Sequence, residues 1–349
     1  MQKINLSFNK TIAENKKCFI IAEAGVNHNG SISIAKKLID IASQSGADAV
    51  KFQTFFADEI ILEKAPKARY HIETTGNNEK LSWYELLKSQ EISLKMHKEI
   101  IAYCKKRKVI FLSTPYDMKS VDLLNNLGIE MFKIASTDLN NHQLLEYISK
   151  KKKPVILSTA MSNYDEVEKS YKILKKFLKN KFVLMQCTGS YPAPLKDANL
   201  KVIQSFKDKF KCLVGYSDHV MDDAAIIAAL GVGISVYEKH ITVSKNLPGP
   251  DHRASLEKKE FKQLVKKIRN VEAALGDGKK RVMPCEVKNR DKLRKFLVAS
   301  KNIPSGKILK SDDITAKRTG GTGLQASNYF DVINKKSWKS FKKNEPIIK

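Results

Sequence analysis

Residues 212–240 read CLVGYSDHVMDDAAIIAALGVGISVYEKH. Two strand candidates, Cys212–Gly215 and Ser235–His240, flank a helical segment at Ala224–Leu230. Neither run alternates with polar residues, so each reads as a strand buried on both faces, and the helix between them implies a parallel pair. Polar groups gather where the strands end: Ser217, Asp218 and His219 in one, Glu238 and His240 in the other.

The same unit recurs on either side. Strands are expected at Phe19–Ala24, Ala49–Gln53, Val109–Ser113, Met131–Ala135, Val155–Ser158 and Phe182–Cys187. Amphipathic helices are expected at Ile34–Ser43, Leu94–Lys106, Ser120–Leu127, Leu144–Lys150, Glu166–Leu178, Leu200–Phe206 and, after the last strand, Phe261–Leu275. Eight strand–helix units over about 260 residues fit an α/β fold of the (β/α)8 TIM-barrel type better than a doubly wound sheet. Phe55 to Gln90 is too long for a simple loop and reads as an insertion at the barrel mouth. After Gly276-Asp277-Gly278 the pattern changes. We divide the chain into a barrel domain at 1–280, a basic linker at 281–290 and a small domain of short β pieces at 291–349.

The 349 residues carry 63 Lys+Arg against 37 Asp+Glu, a formal charge of +26. Only eight of the basic residues are arginine, the better reader of bases and phosphates. The lysines are scattered in short groups such as Lys151-Lys152-Lys153, so a solvated surface is expected rather than a nucleic-acid partner. A basic nucleic-acid-binding barrel stays a remote alternative. The apolar run Ala224–Val236 is shorter than the roughly 20 residues a bilayer needs, and the N-terminus has no secretory apolar core. Five cysteines, odd in number and without a CxxC pair, point to reduced thiols in a cytoplasm. No dinucleotide or nucleoside-triphosphate phosphate loop is present.

In a barrel, chemistry sits at the C-terminal ends of the strands. Those places hold Glu23, Asn27 and His28; Lys51 and Gln53; Ser113 and Thr114; Lys133, Ser136 and Asp138; Ser158 and Thr159; Thr188 and Tyr191; Ser217, Asp218 and His219; Glu238, His240, Asp251 and His252. Interior polar groups at nearly every strand end are costly unless they pair with each other or a ligand. His219 and His240 lie at the ends of adjacent strands, so their imidazoles can converge on a catalytic Mn²⁺, Co²⁺ or similar ion; hydrogen-bonded structural histidines are the alternative. Lys51 and Lys133 stand inside apolar strands and need an anion, either a phosphate or carboxylate ligand or a partner such as Glu23 or Asp138. His71, His97 and His142 are expected at the surface, and Cys187 and Cys212 as buried core thiols. Arg318 precedes Thr319-Gly320-Gly321-Thr322-Gly323, a loop flexible enough to carry it toward a ligand.

The strings Ile21-Ala22-Glu23-Ala24-Gly25-Val26-Asn27-His28-Asn29-Gly30, Lys51-Phe52-Gln53-Thr54, Ser113-Thr114-Pro115 and Lys133-Ile134-Ala135-Ser136 resemble signatures of the sialic acid (N-acetylneuraminate) synthases and their legionaminate and pseudaminate relatives. Gly215-Tyr216-Ser217-Asp218-His219, Glu238-Lys239-His240 and Pro248-Gly249-Pro250-Asp251-His252 extend the resemblance in correct order. The last sixty residues or so resemble the family's antifreeze-like (SAF, β-clip) domain. The resemblance implies condensation of phosphoenolpyruvate with an N-acylated hexosamine, N-acetylmannosamine above all, with release of phosphate. The alternative acceptor is a 2,4-diacetamido-2,4,6-trideoxyhexose.

By matching positions, Lys51, Thr114, Lys133, Ser136, Ser158 and Ser217 would hold phosphoenolpyruvate. Gln53, Tyr191, Asp251 and Arg318 would contact the sugar, and Glu23 and Asp138 would handle protons or orient the metal-bound water. His219 and His240 would hold a divalent metal, Mn²⁺ first, with Mg²⁺ or Co²⁺ as alternatives. Arg318 would act across a domain-swapped homodimer. Asp138 stands where many members have Glu, Gly189 where some have Asn, Ala160 where Gly is frequent, and Thr319 where Pro is usual.

Overall fold

The computed structural model describes residues 2–67 and 81–349. The chain divides into two compact units, Met1–Gly276 and Asp277–Lys349. The first opens with an antiparallel hairpin, β1 (Lys3–Leu6) and β2 (Lys10–Ala13), which the sequence reading did not anticipate. Eight parallel strands follow: β3 (Phe19–Gly25), β4 (Ala49–Thr54), β5 (Ile110–Pro115), β6 (Phe132–Ile134), β7 (Val155–Ser158), β8 (Phe182–Cys187), β9 (Leu213–Asp218) and β10 (Val236–His240). They close into a barrel by pairing β10 with β3, as the sequence predicts.

The two-residue period of each strand sorts its side chains. Facing outward, Ile20, Ala22, Ala24, Val50 and Phe52 pack under the helices. Facing inward at the lower end, Phe19, Ile21, Ala49, Ile110, Leu112, Met131, Ile156, Val183, Met185, Leu213 and Val236 form an apolar plug. Ile4 and Ile12 of the hairpin join that plug. Continuing the inward rows by two residues reaches Glu23, Lys51, Thr114, Lys133, Ser158, Cys187 and Glu238, and on β9 a further step past Gly215 reaches Ser217. The barrel thus changes from apolar to polar along its own axis, and the site lies at the polar end.

The surrounding helices are α1 (Ile32–Ser45), α4 (Leu94–Arg107), α5 (Met118–Asn126), α6 (His142–Lys150), α7 (Tyr164–Leu178), α8 (Lys201–Phe210), α9 (Ala224–Val232) and α10 (Lys258–Leu275). Helix α10 shows why they dock: Phe261, Leu264, Val265 and Ile268 recur on one face and are buried. Between β4 and α4 lie α2 (Ala57–Ile60) and α3 (Trp83–Gln90), within the expected insertion. The Ser82 hydroxyl accepts from Glu85 N–H, and Glu85 accepts from Ser82 N–H, a reciprocal cap that starts α3. His71 falls outside the described residues. His97, expected at the surface, is instead buried, because it shares the inner face of α4 with Ile100 and Cys104. Among the described residues no helix is long and apolar enough to cross a membrane.

In the second unit, Pro284–Leu293 is a helix (α11) within the segment expected as a linker and just beyond it. Proline at its first turn and Glu286 accepting from Met283 N–H at 2.7 Å start it, and none of its residues is buried. Strands β11 (Phe296–Ala299) and β12 (Ile314–Lys317) pair antiparallel, and a short helix α12 spans Tyr329–Val332. Leu297, Ile303, Leu309, Ile314, Val332, Phe341 and Ile347 form this unit's own core. Asp313 is fully buried beside it, 2.5 Å from Lys307 and 3.0 Å from Lys301.

Candidate active site

A cavity of about 710 Å³ opens at the C-terminal end of the barrel. The barrel residues to which the resemblance gives a substrate, proton or metal role all line it: Glu23, Lys51, Gln53, Thr114, Lys133, Ser136, Asp138, Ser158, Tyr191, Ser217, His219, His240 and Asp251; of the other strand-end polar groups, Asn27, His28, Ser113, Thr159, Thr188, Asp218 and His252 do not. Arg318 belongs to the second unit, where it follows β12, is exposed, and donates from Nε to the Leu293 carbonyl at 3.2 Å.

At the floor two ammonium groups face two carboxylates. Lys51 Nζ lies 2.9 Å from Glu23 Oε2 and 3.7 Å from Glu238 Oε2, and donates to Thr114 Oγ1 at 3.1 Å. Lys133 Nζ and the Ser217 hydroxyl both donate to Glu238 Oε1 at 3.0 Å. All four charged groups are at most 4% exposed. Burial alone would push the Glu238 carboxyl up, but Lys133 and then Lys51 overcome it and hold it at about 2. Glu23 goes the other way, to about 7, because burial and the neighbouring Glu238 outweigh Lys51. Glu238 is thus a firm anion, and Glu23 exchanges a proton near neutrality. Burial also pulls the Lys133 ammonium down, whereas at Lys51 the carboxylates of Glu23 and Glu238 outweigh burial. The Ser158 hydroxyl is buried without a partner among the described residues, and Ser136 Oγ accepts from Ala160 N–H at 2.9 Å.

His219 and His240 converge as expected, with ring centroids 5.4 Å apart. His219 Nδ1 lies 2.7 Å from the Thr188 carbonyl, which can only accept, so this nitrogen carries the proton and Nε2 keeps its lone pair. Among the described residues His240 Nδ1 is buried with no hydrogen-bond partner, and Asp251 Oδ2 stands 3.7 Å away. Burial lowers His219 to about 4 and, with His219 beside it, carries His240 well below its ordinary value. Both imidazoles are neutral donors at neutral pH. The Tyr191 ring lies 4.1 Å from that of His219 and 5.6 Å from that of His240.

Gly25, at φ 52°, sits where Glu23, Gln53 and Asp251 meet; a Cβ there would lie within 3.5 Å of an oxygen or nitrogen of each. The left-handed backbone, rather than want of space, is what favours glycine there. Asp251 is pushed up to about 6 by burial, against Lys51. Asp138 is half-buried at the rim, accepts from Asn141 Nδ2 at 3.2 Å, and is also raised by burial.

His28 and His252 do not line the cavity. His28 Nδ1 accepts from Gly30 N–H at 3.1 Å. His252 Nδ1 meets Thr242 Oγ1 at 2.7 Å and its Nε2 meets Asn29 Oδ1 at 3.3 Å, which ties the loop before Asp251 to the loop after β3. Cys187, expected in the core, is buried but lines the cavity, with Sγ 3.7 Å from His219 Nδ1. Glu238 belongs to the site as well; the inward row shared with Ser217 and Lys133 is the signal that finds it. Phe55, Ile60, Ile61, Trp83, Leu87 and Met161 form an apolar outer wall, drawn largely from the insertion. Met161 also fills the place beside Gly189, where an added Cβ would lie 3.2 Å from its Cγ.

Among the described residues no group of three or more His, Cys, Asp or Glu side chains is arranged to hold a metal ion. The imidazole pair supplies two neutral nitrogen donors at the ends of neighbouring strands.

A model of the NeuB family matches residues 38–280, and a model of the SAF domain matches residues 294–349. The chain is 47% identical over 334 residues to an N,N'-diacetyllegionaminic acid synthase of Campylobacter jejuni, covering 95% of this chain and 99% of that one. It is 35% identical over 332 residues to the human N-acetylneuraminate-9-phosphate synthase, covering 95% and 91%. Among solved structures, the N-acetylneuraminic acid synthetase of Leptospira borgpetersenii, in complex with citrate, superposes with a TM-score of 0.71 at 34% identity, covering 84% of this chain and 97% of that one.

Proposed function

The chain belongs to the NeuB family, and we propose that it condenses phosphoenolpyruvate with the open-chain aldehyde of an N-acylated amino sugar. The observation that carries this reading is the convergence of two buried lysines and a neutral imidazole pair on one cavity. Lys51, Lys133 and the hydroxyls of Thr114, Ser136, Ser158 and Ser217 bind the phosphate and carboxylate of phosphoenolpyruvate. Gln53, Tyr191 and Asp251 orient the sugar. The methylene carbon of phosphoenolpyruvate attacks the aldehyde carbon, and the aldehyde oxygen takes up a proton. Water then adds to C2, and phosphate leaves with cleavage of its C–O bond. Glu23, near pH 7, and Asp138 are the carboxyls that move these protons.

The unpartnered His240 nitrogen and the free His219 Nε2 fit a divalent ion, and His219 and His240 are the residues that would hold it. Mn²⁺ is our first choice, with Mg²⁺ or Co²⁺ as alternatives; when bound, it supplies Lewis-acid polarisation of the aldehyde. The same reading takes the protein as a cytoplasmic, domain-swapped homodimer in which Arg318 completes the partner's sugar site.

For the acceptor we favour a 2,4-diacetamido-2,4,6-trideoxyhexose, giving a legionaminate-type acid, over the N-acetylmannosamine expected first. Greater identity to the legionaminic acid synthase, 47% against 35% for the neuraminate-9-phosphate enzyme, supports this. So does the apolar outer wall, which suits a deoxy carbon and acetamido methyls better than a hydroxymethyl group. The test is phosphate release by the full-length chain, stripped with EDTA and restored with Mn²⁺, across both acceptor classes. We expect the diacetamido sugar to lead in kcat/KM by roughly tenfold or more. The reverse order would return the acceptor to N-acetylmannosamine. Normal Mn²⁺ binding without turnover of any amino sugar would sink the synthase reading.

A further inference from the structure

The strands that carry the two histidines are fastened together on the side away from the cavity. In the β9–β10 register, Ser217 pairs with Glu238 and Asp218 with Lys239. Ser217 and Glu238 face the cavity, so the strand period turns Asp218 and Lys239 outward beneath the helices. Neither lines the cavity, and each is only 2% exposed. Lys239 Nζ lies 3.2 Å from Asp218 Oδ2, and the same oxygen accepts from the Tyr237 hydroxyl at 2.8 Å. Asp218 Oδ1 accepts from Val220 N–H at 2.8 Å, while Lys239 Nζ also donates to the Val220 carbonyl. One ammonium group, on the residue before His240, therefore grips both chain neighbours of His219.

An ion pair with so little access to water gains little net stability over an apolar pair of similar volume, because both charges must be desolvated. Its directional bonds do something an apolar pair cannot: they fix the path of residues 218–220 relative to strand β10. His219 inherits that path, since its own carbonyl accepts from Ala193 N–H at 2.9 Å and its ring is held by Thr188. We propose that Asp218 and Lys239 are positioning residues that set the separation of the His219 and His240 imidazoles and so the site's affinity for a divalent ion. The proposal rests on the metal reading above.

The test is a Mn²⁺ titration of the metal-stripped, full-length protein followed by electron paramagnetic resonance. Lys239→Met and Asp218→Asn each leave a lone buried charge, so the double variant, which leaves none, is the informative one. Its Mn²⁺ Kd is expected to rise roughly 10–100-fold, the usual effect of losing outer support for metal ligands, while its thermal midpoint without metal stays near that of the wild type. Tyr237→Phe keeps both charges and should weaken binding only a few-fold. Wild-type affinity in both the double variant and Tyr237→Phe would overturn the proposal and reduce the pair to packing. A wild-type protein that takes up no Mn²⁺ would overturn it together with the metal reading. Because the titration needs no substrate, a weakened double variant supports the clamp even in a protein that turns over no amino sugar.

Discussion

Lys133 donates to Glu238 across the barrel interior at 3.0 Å, although 105 residues separate them in the chain. Of the two lysines, Lys133 makes the closer contact with Glu238, since Lys51 stands 3.7 Å away. Lys133→Met should therefore destabilise the fold by about 3–5 kcal/mol, the cost of breaking a buried pair and leaving one charge behind. It should also raise the KM for phosphoenolpyruvate more than about tenfold. Chemical denaturation and steady-state phosphate release check the two effects, and an unchanged KM would remove Lys133 from the anion site.

Gly249 has φ 148°, and a Cβ there would stand 2.8 Å from His252 Cδ2 and 3.0 Å from its Nε2. Gly249→Ala must push His252 from its bonds to Thr242 and Asn29, and the displaced loop carries Asp251. We expect a loss of about 1–3 kcal/mol in stability and a higher acceptor KM, with the phosphoenolpyruvate KM nearly unchanged. Equal effects on both KM values would place the loop differently.

Asp313 predicts a pH dependence confined to acid. Burial raises its carboxyl, but Lys307, the Lys310 N–H and Lys301 together hold it at about 2, below the usual value of about 3.9 in an unfolded chain. A depressed carboxylate stabilises the fold above the unfolded value and loses that contribution as pH falls toward the folded one. The stability gap between wild type and Asp313→Asn should be constant from pH 7 to about 4 and close between about 4 and 2. Amide exchange at Leu309 and Lys310 in the full chain reads it, and a gap independent of pH would refute the ionic role.

Arg318→Ala should raise the acceptor KM more than about tenfold while leaving Mn²⁺ affinity unchanged. Mixing Arg318→Ala with His219→Ala protein tests action across subunits, because only a mixed dimer pairs an intact cavity with an intact arginine. Recovery of activity on mixing is expected; none would confine Arg318 to its own chain or to the surface.

What the sequence discloses here depends on whether a residue breaks a local pattern. Lys51 and Lys133 interrupt apolar strands and His219 and His240 end them, so the alternation that defines the barrel also exposes its site. His97 breaks no pattern: it looks like one more polar residue on a lysine-rich helix, and only the shared face with Ile100 and Cys104 shows that it turns inward, where its Nε2 meets Thr54 Oγ1 at 2.9 Å. The apolar outer wall is equally silent, because Phe55, Ile60, Ile61 and Leu87 lie in a segment with no sustained period. Helix α11 buries nothing and so prints no hydrophobic stripe. The β1–β2 hairpin is short and mostly polar; Ile4 and Ile12 acquire meaning only once there is a barrel end to plug.

Closure of the barrel sets β10 against β3 with His240 in register opposite Glu23, the last strand of the barrel against its first. No stretch of chain short of the whole barrel brings those two residues together, and such distant pairings form late and slowly. The corner where Glu23 meets His240 therefore has no partial version: the last strand must close on the first before it exists. The cavity, lined from all eight strands, is complete only in the closed barrel, and a truncated chain carries its residues without assembling them.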